Sequence, residues 1–109
     1  MYRPEIKVID CSVRDGGLMN KWQFDDAFVC KVYTACMEAG VDYMEIGYLS
    51  SESAFSRDEV GPWKFCAEAD IRRIIGDGEK KIKLSAMADI GRIEYKDIPH
   101  KSESALDMI

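Results

Sequence analysis

Histidine is nearly absent from the chain: the only one, His100, sits beside Pro99, so no histidine pair is on offer to a metal. The four cysteines, Cys11, Cys30, Cys36 and Cys66, have no Cys-x-x-Cys spacing, and three of them fall in apolar periodic stretches. Small buried thiols account for them better than a zinc site or a disulfide framework. Positive charge is in deficit, with 20 acidic against 15 basic residues and a net charge of -5. That balance leaves no electrostatic footprint for nucleic acid or an anionic membrane. No apolar run approaches the roughly 20 residues of a membrane span, and no apolar N-terminal segment follows a basic region. A reducing cytoplasm is the default expectation. Neither Gly-x-Gly-x-x-Gly nor a P-loop lysine accompanies Gly16-Gly17, which weakens a phosphate-binding reading.

The 109 residues, 47% hydrophobic and 10% aromatic, suffice for one small core. The pattern turns on Val8-Ile9-Asp10-Cys11-Ser12-Val13-Arg14-Asp15-Gly16-Gly17, where an apolar run breaks into an Arg-Asp pair and two glycines. Residues 6 to 10 read as a buried strand ended by the glycine pair, with a loop over 16 to 24. Asp25 and Asp26 suit a helix N-terminus, and Phe28, Val29, Val32, Tyr33 and Cys36 form one apolar stripe of a helix that runs to about Ala39 and stops at Gly40. Residues 43 to 48 read as the second strand, with Glu45 the one carboxylate in an apolar run. Residues 49 to 62 are a long polar loop. A short helix follows over about 67 to 75, with Gly76 as its stop, and residues 82 to 88 form the third strand. Residues 92 to 109 are an irregular tail that leads toward a missing fourth strand.

The order β-α-β-α-β predicts an α/β fold with parallel strands joined by right-handed crossovers. Chemistry in such folds gathers at the C-terminal ends of the strands, which makes Arg14 and Asp15 the first candidates. Three strands cannot close a barrel, so the sheet keeps open edges that invite self-association. The sequence reads as cut short.

Asp10-Cys11-Ser12-Val13-Arg14-Asp15-Gly16-Gly17 resembles the D-x-T-L-R-D-G signature of the metal-dependent pyruvate aldolase and acyltransferase superfamily, to which hydroxymethylglutaryl-CoA lyase belongs. Ser12 and Val13 stand where Thr and Leu are usual. Gly40-Val41-Asp42-Tyr43-Met44-Glu45-Ile46-Gly47 is similar to the family's second strand. The doubled glycine followed by Asn20, Trp22 and Phe24, with Tyr48-Leu49 after the second strand, is most similar to the 4-hydroxy-2-oxovalerate aldolase-like branch.

The resemblance implies the first three units of a (β/α)8 barrel of roughly 250 residues, acting on 2-oxo acids through a metal-stabilised enolate. It further implies Asp15 as a ligand of Mg2+ or Mn2+, Arg14 as the group that stabilises the enolate oxygen, and Glu45 as the residue that orients Arg14. Asn20 and Asp89 are weaker substrate-binding candidates. The family's late His-x-His pair is not in these residues, and His100 does not match it. The implied function is therefore the N-terminal segment of an aldolase or lyase, inactive as the isolated chain. The alternative is a catalytically silent barrel fragment that serves as a binding or interaction module.

Each residue has a plain structural reading as well. Without the resemblance, Arg14-Asp15 is better taken as a turn or ion pair, and the two motifs together reverse that order. Glu45, if buried, needs a partner, and Arg14 on the neighbouring strand is an economical one. Asn20 is better taken as a solvated loop amide, and Asp89 is equally a helix or turn cap. Gly16 and Gly17 serve the turn in either case. Met19, Met37, Met44 and Met87 read as gap fillers, and Trp22 and Trp63 as packing anchors.

Overall fold

A computed structural model describes residues 1 to 78 and 80 to 109. It is an α/β structure built on three parallel strands in the order β1 (Ile9–Asp10), β2 (Tyr43–Tyr48) and β3 (Lys83–Met87). Crossovers between them contain α1 (Ser12–Asn20), α2 (Asp26–Glu38) and α3 (Glu68–Ile75). Val29, Tyr33 and Cys36 of α2, Ile71 and Ile74 of α3, and Met44, Ile46, Leu84 and Ala86 of the sheet belong to one buried cluster. Among the described residues, no helix is long and apolar enough to cross a membrane.

The first strand is shorter and wetter than its sequence predicts. Ile6, Val8 and Ile9 are exposed, because β1 is an edge and only β2 pairs with it. Val8 is instead tied to the turn before β2: its N–H donates to Asp42 Oδ2 at 2.8 Å and its carbonyl accepts from the N–H groups of Asp42 and Tyr43.

The larger correction concerns the glycine pair. Residues 12 to 20 form a helix, so Gly16 and Gly17 lie inside α1 and do not make a turn. Asp10 starts this helix by accepting from the Ser12 N–H at 3.1 Å and the Ser12 hydroxyl at 2.8 Å. The reason for glycine at 17 is a close approach: a Cβ there would lie 1.9 Å from Trp22 Cδ1. The chain then reverses through Lys21 (φ 57°) and Trp22 (φ 58°), where the Asn20 side-chain oxygen accepts from the Trp22 N–H at 3.1 Å.

The second helix begins where the acidic pair predicts, since Asp25 Oδ1 accepts from the Phe28 N–H at 2.7 Å. It ends at Gly40, whose φ of 73° is left-handed. Phe28 leaves the expected stripe and is half exposed, stacked on Phe24 with ring centres 5.1 Å apart. Met19 is exposed and fills no gap.

The loop after β2 is irregular up to the 3₁₀ turn Pro62–Lys64. Ser51 fastens it to the tail, donating to Asp97 Oδ2 at 2.6 Å and accepting from the Glu94 N–H at 2.8 Å. The tail itself does more than lead away. Met108 makes an isolated parallel bridge to Ser85, and Asp107 Oδ2 accepts from the Leu84 N–H at 2.9 Å and from Lys80 Nζ. A single bridge therefore occupies the outer edge of β3, at the position of a fourth strand.

Candidate functional site

Parallel pairing places the C-terminal ends of all three strands on one rim, and α1 begins there immediately after β1. Arg14, in the first turn of α1, reaches back so that its Nε donates to Glu45 Oε1 of β2. Arg14 Nη1 also lies 3.3 Å from Asp15 Oδ1. The three candidates thus converge, from helix and strand and not from a loop.

Their exposures differ in a useful way. The Glu45 and Arg14 side chains keep 12% and 20% of their surface, whereas Asp15 keeps 68%. Glu45 is the inner anchor, Arg14 is held between the two carboxylates, and Asp15 stands at the solvent side. The hydrogen bond that Arg14 donates to Glu45 raises the affinity of the guanidinium for its proton; partial burial acts the other way and is outweighed. Arg14 is therefore a fixed cation with its direction set from behind.

An open hollow of about 610 Å³ fronts this group, lined by Cys11, Ser12, Arg14, Asp15 and Gly16. Burial and the Glu45 charge push the Cys11 thiol upward, against the opposing effect of Arg14. Cys11 is thus held toward its neutral form. Beside Glu45 in register sits Ser85, whose hydroxyl is buried and, among the described residues, has no partner.

The weaker candidates are placed elsewhere. Asn20 closes α1, its oxygen spent on the Trp22 N–H, and it does not line the hollow. Asp89 follows β3 and lies 3.9 Å from Arg92, while its charge acts on Lys64. His100 belongs to the tail, where its Nδ1 accepts from the Ser102 N–H at 3.2 Å.

Lys64 escaped the sequence reading. Its residue surface is 2% exposed, and its Nζ stands 3.7 Å from the Tyr48 ring centre, 4.1 Å from Trp22 and 4.4 Å from Phe55. Among the described residues, Nζ makes no ion pair or hydrogen bond. Each aromatic face is worth about 0.5 to 2 kcal/mol to a cation, while withdrawing an ion from water costs several kcal/mol. The rings therefore compensate the charge only in part. Burial draws the Lys64 amine below its usual range; the Asp89 charge opposes this and the Arg92 charge adds to it. A sequence signal did exist: Pro62-Trp63-Lys64-Phe65-Cys66 embeds one charge in an apolar run, as Glu45 is embedded in β2.

Lys64 and Arg14 share an aromatic layer. The Trp22 indole N–H donates to the Arg14 carbonyl at 2.8 Å, and the Trp22 ring meets Tyr48 edge to face at 5.4 Å. Trp22 thus touches both the Arg14 backbone and the Lys64 ammonium, and Tyr48 packs against Trp22 and Lys64.

A divalent metal is poorly provided for. Asp15 offers one hard oxygen, and among the described residues no three His, Cys, Asp or Glu side chains gather as a ligand set. The described residues therefore supply at most one ligand of a divalent-metal set, and Asp15 is that one. No family model, curated protein or solved structure matches the chain.

Proposed function

We propose that the chain is the N-terminal segment of a divalent-metal-dependent aldolase or lyase acting on 2-oxo acids, of the hydroxymethylglutaryl-CoA lyase-like barrel superfamily. The observation that carries the reading is the Arg14–Glu45 pair, with Asp15 beside it at the C-terminal rim of a parallel sheet. The motif residues from two separate stretches of sequence meet in one place.

The chemistry follows from Arg14. Carbon–carbon cleavage next to a 2-oxo acid leaves an enolate, and its oxygen gains charge as the bond breaks. A guanidinium pre-aimed by Glu45 stabilises that charge without having to reorient. Asp15, exposed and adjacent, is the residue proposed to reach a metal, which when bound would polarise the substrate carbonyl. One ligand holds such an ion weakly, so the isolated chain is expected to have no turnover.

The test uses Mn2+ and pyruvate on the 109-residue chain. Mn2+ should broaden resonances around Asp15 in the wild type and not in Asp15→Ala, and pyruvate should shift the Arg14 Nε–H. Pyruvate release from a 4-hydroxy-2-oxo acid should stay at the buffer rate. Broadening spread over the acidic surface, with an unmoved Arg14 signal, overturns the reading.

The silent-fragment reading is favoured by a different observation. Ile6, Val8 and Ile9 are 60%, 55% and 40% exposed along an edge strand. An apolar open edge pairs readily with another chain, so concentration-dependent self-association with no Mn2+ or pyruvate response at Asp15 and Arg14 would select it.

A further inference from the structure

We propose that Lys64 is an anion-docking point that receives a carboxylate, which under the 2-oxo acid reading is the carboxylate of the substrate. The inference rests on that reading for the ligand's identity and on the aromatic box for the site. Three ring faces surround Nζ, and rings can neither accept a strong hydrogen bond nor neutralise a charge. The donor capacity of the ammonium is therefore unspent.

Lys64 keeps only 2% of its surface, so a ligand reaches Nζ where a ring yields. Among the described residues, Lys64 Nζ has neither an ion pair nor a hydrogen bond, and three rings are its neighbours. The nearest acidic influence, Asp89, makes no ion pair with Lys64 and lies beside Arg92 instead. Arg92 stands over the far wall, its Cζ 5.7 Å from the Phe55 ring centre. A small anion admitted past Phe55 would come under the charges of Lys64 and Arg92, with Asp89 already beside Arg92.

Position decides between a docking role and mere bracing. Tyr48 and Trp22 form the wall between Lys64 and the Arg14 group, so the two cations stand one aromatic layer apart on the same rim. A bracing lysine needs no such neighbour. Phe55 is carried by the long loop after β2 and is partly exposed, which makes it the wall that can yield to a ligand.

The wild-type chain with 15N-labelled lysine is titrated with pyruvate, acetate and acetone. Pyruvate and acetate should shift the Lys64 Nζ signal saturably and raise its titration midpoint, because a bound anion favours the charged amine; acetone, which lacks the carboxylate, should not. Lys64→Met should weaken calorimetric pyruvate binding about tenfold or more, with Lys64→Arg retaining part of it. An indifferent Lys64 signal, or one that moves no more than those of surface lysines such as Lys31, overturns the proposal. A responsive Lys64 beside an unmoved Arg14 keeps the docking site and removes the 2-oxo acid reading. A responsive Arg14 beside a silent Lys64 does the reverse.

Discussion

Replacing Gly17 by alanine should destabilise the protein, whereas the same change at its neighbour Gly16 should stabilise it. Both glycines lie in α1, where alanine is favoured over glycine by about 1 kcal/mol. At Gly16 the added Cβ meets only Phe24 Cζ, at 3.5 Å, an ordinary contact. The propensity term then stands alone, and Gly16→Ala should gain about 0.5 to 1 kcal/mol. At Gly17 the Cβ would fall 1.9, 2.0 and 2.3 Å from Trp22 Cδ1, Nε1 and Cγ.

Relief of that overlap requires carbon atoms near 3.5 Å, so the indole must retreat by about 1.6 Å. It cannot do so in place. The ring is held by its N–H bond to the Arg14 carbonyl, by Tyr48 and by Lys64, and a shift of that size breaks the first of these and misaligns the others. Expelling a buried tryptophan costs about 3 to 5 kcal/mol, less the 1 kcal/mol of propensity, which leaves a net loss of about 2 to 4 kcal/mol. Urea unfolding of the two variants measures the difference. Trp22 emission should shift to the red in Gly17→Ala, with fully buried Trp63 as the unmoved reference. A Gly17→Ala protein as stable as the parent, with unchanged emission, refutes the close-approach explanation.

Glu45→Ala should cost about 2 to 3 kcal/mol in urea unfolding, since it strands a guanidinium that keeps 20% of its surface; Glu45→Gln should cost less, because an amide oxygen still accepts from Arg14 Nε. The tail should release in acid. Burial raises the Asp107 carboxyl, but the Lys80 hydrogen bond, the Leu84 N–H and the charges of Lys80 and Lys101 outweigh it and leave it below the ordinary value. A depressed folded-state value means the contribution is complete above the usual aspartate range, about 3.9, and is lost as pH falls through the lower folded value. Amide exchange at Ala86, which donates to Met108, should therefore accelerate in that window, and Asp107→Asn should abolish the pH step.

Parallel order, the positions of α2 and α3 and their C-terminal stops at Gly40 and Gly76 were legible because each follows from local chemistry: apolar runs, acidic first turns, and positive φ at a glycine. The first helix was not. Glycine disfavours helices on its own account, and Gly16-Gly17 reads as a turn until Trp22, five residues later, is seen to fold back over the second of them. The tertiary contact, not the local preference, decides that segment. Burial of Ile6, Val8 and Ile9 failed for a related reason. An apolar run states what a residue can bury, while strand order decides whether anything lies beside it.

The same distinction separates the two cations at the rim. Arg14 and Glu45 could be matched from sequence because Arg14 follows β1 closely, although in α1 and not on the strand, and adjacent parallel strands lie about 4.8 Å apart, within reach of an arginine. Lys64 draws its surroundings from Trp22, Tyr48 and Phe55, three points of the chain whose meeting depends on the reversal at Lys21 and Trp22 and on the path of the loop after β2. No periodicity encodes that. Trp22 is the shared support, since its N–H fixes the Arg14 backbone and its ring faces Lys64. Displacing it with a Cβ at position 17 should therefore disturb both cations at once, while Glu45→Gln should reach Arg14 alone. Lys64 Nζ signals unmoved in Gly17→Ala would show that the two groups are independent, and that their common rim is a coincidence of packing.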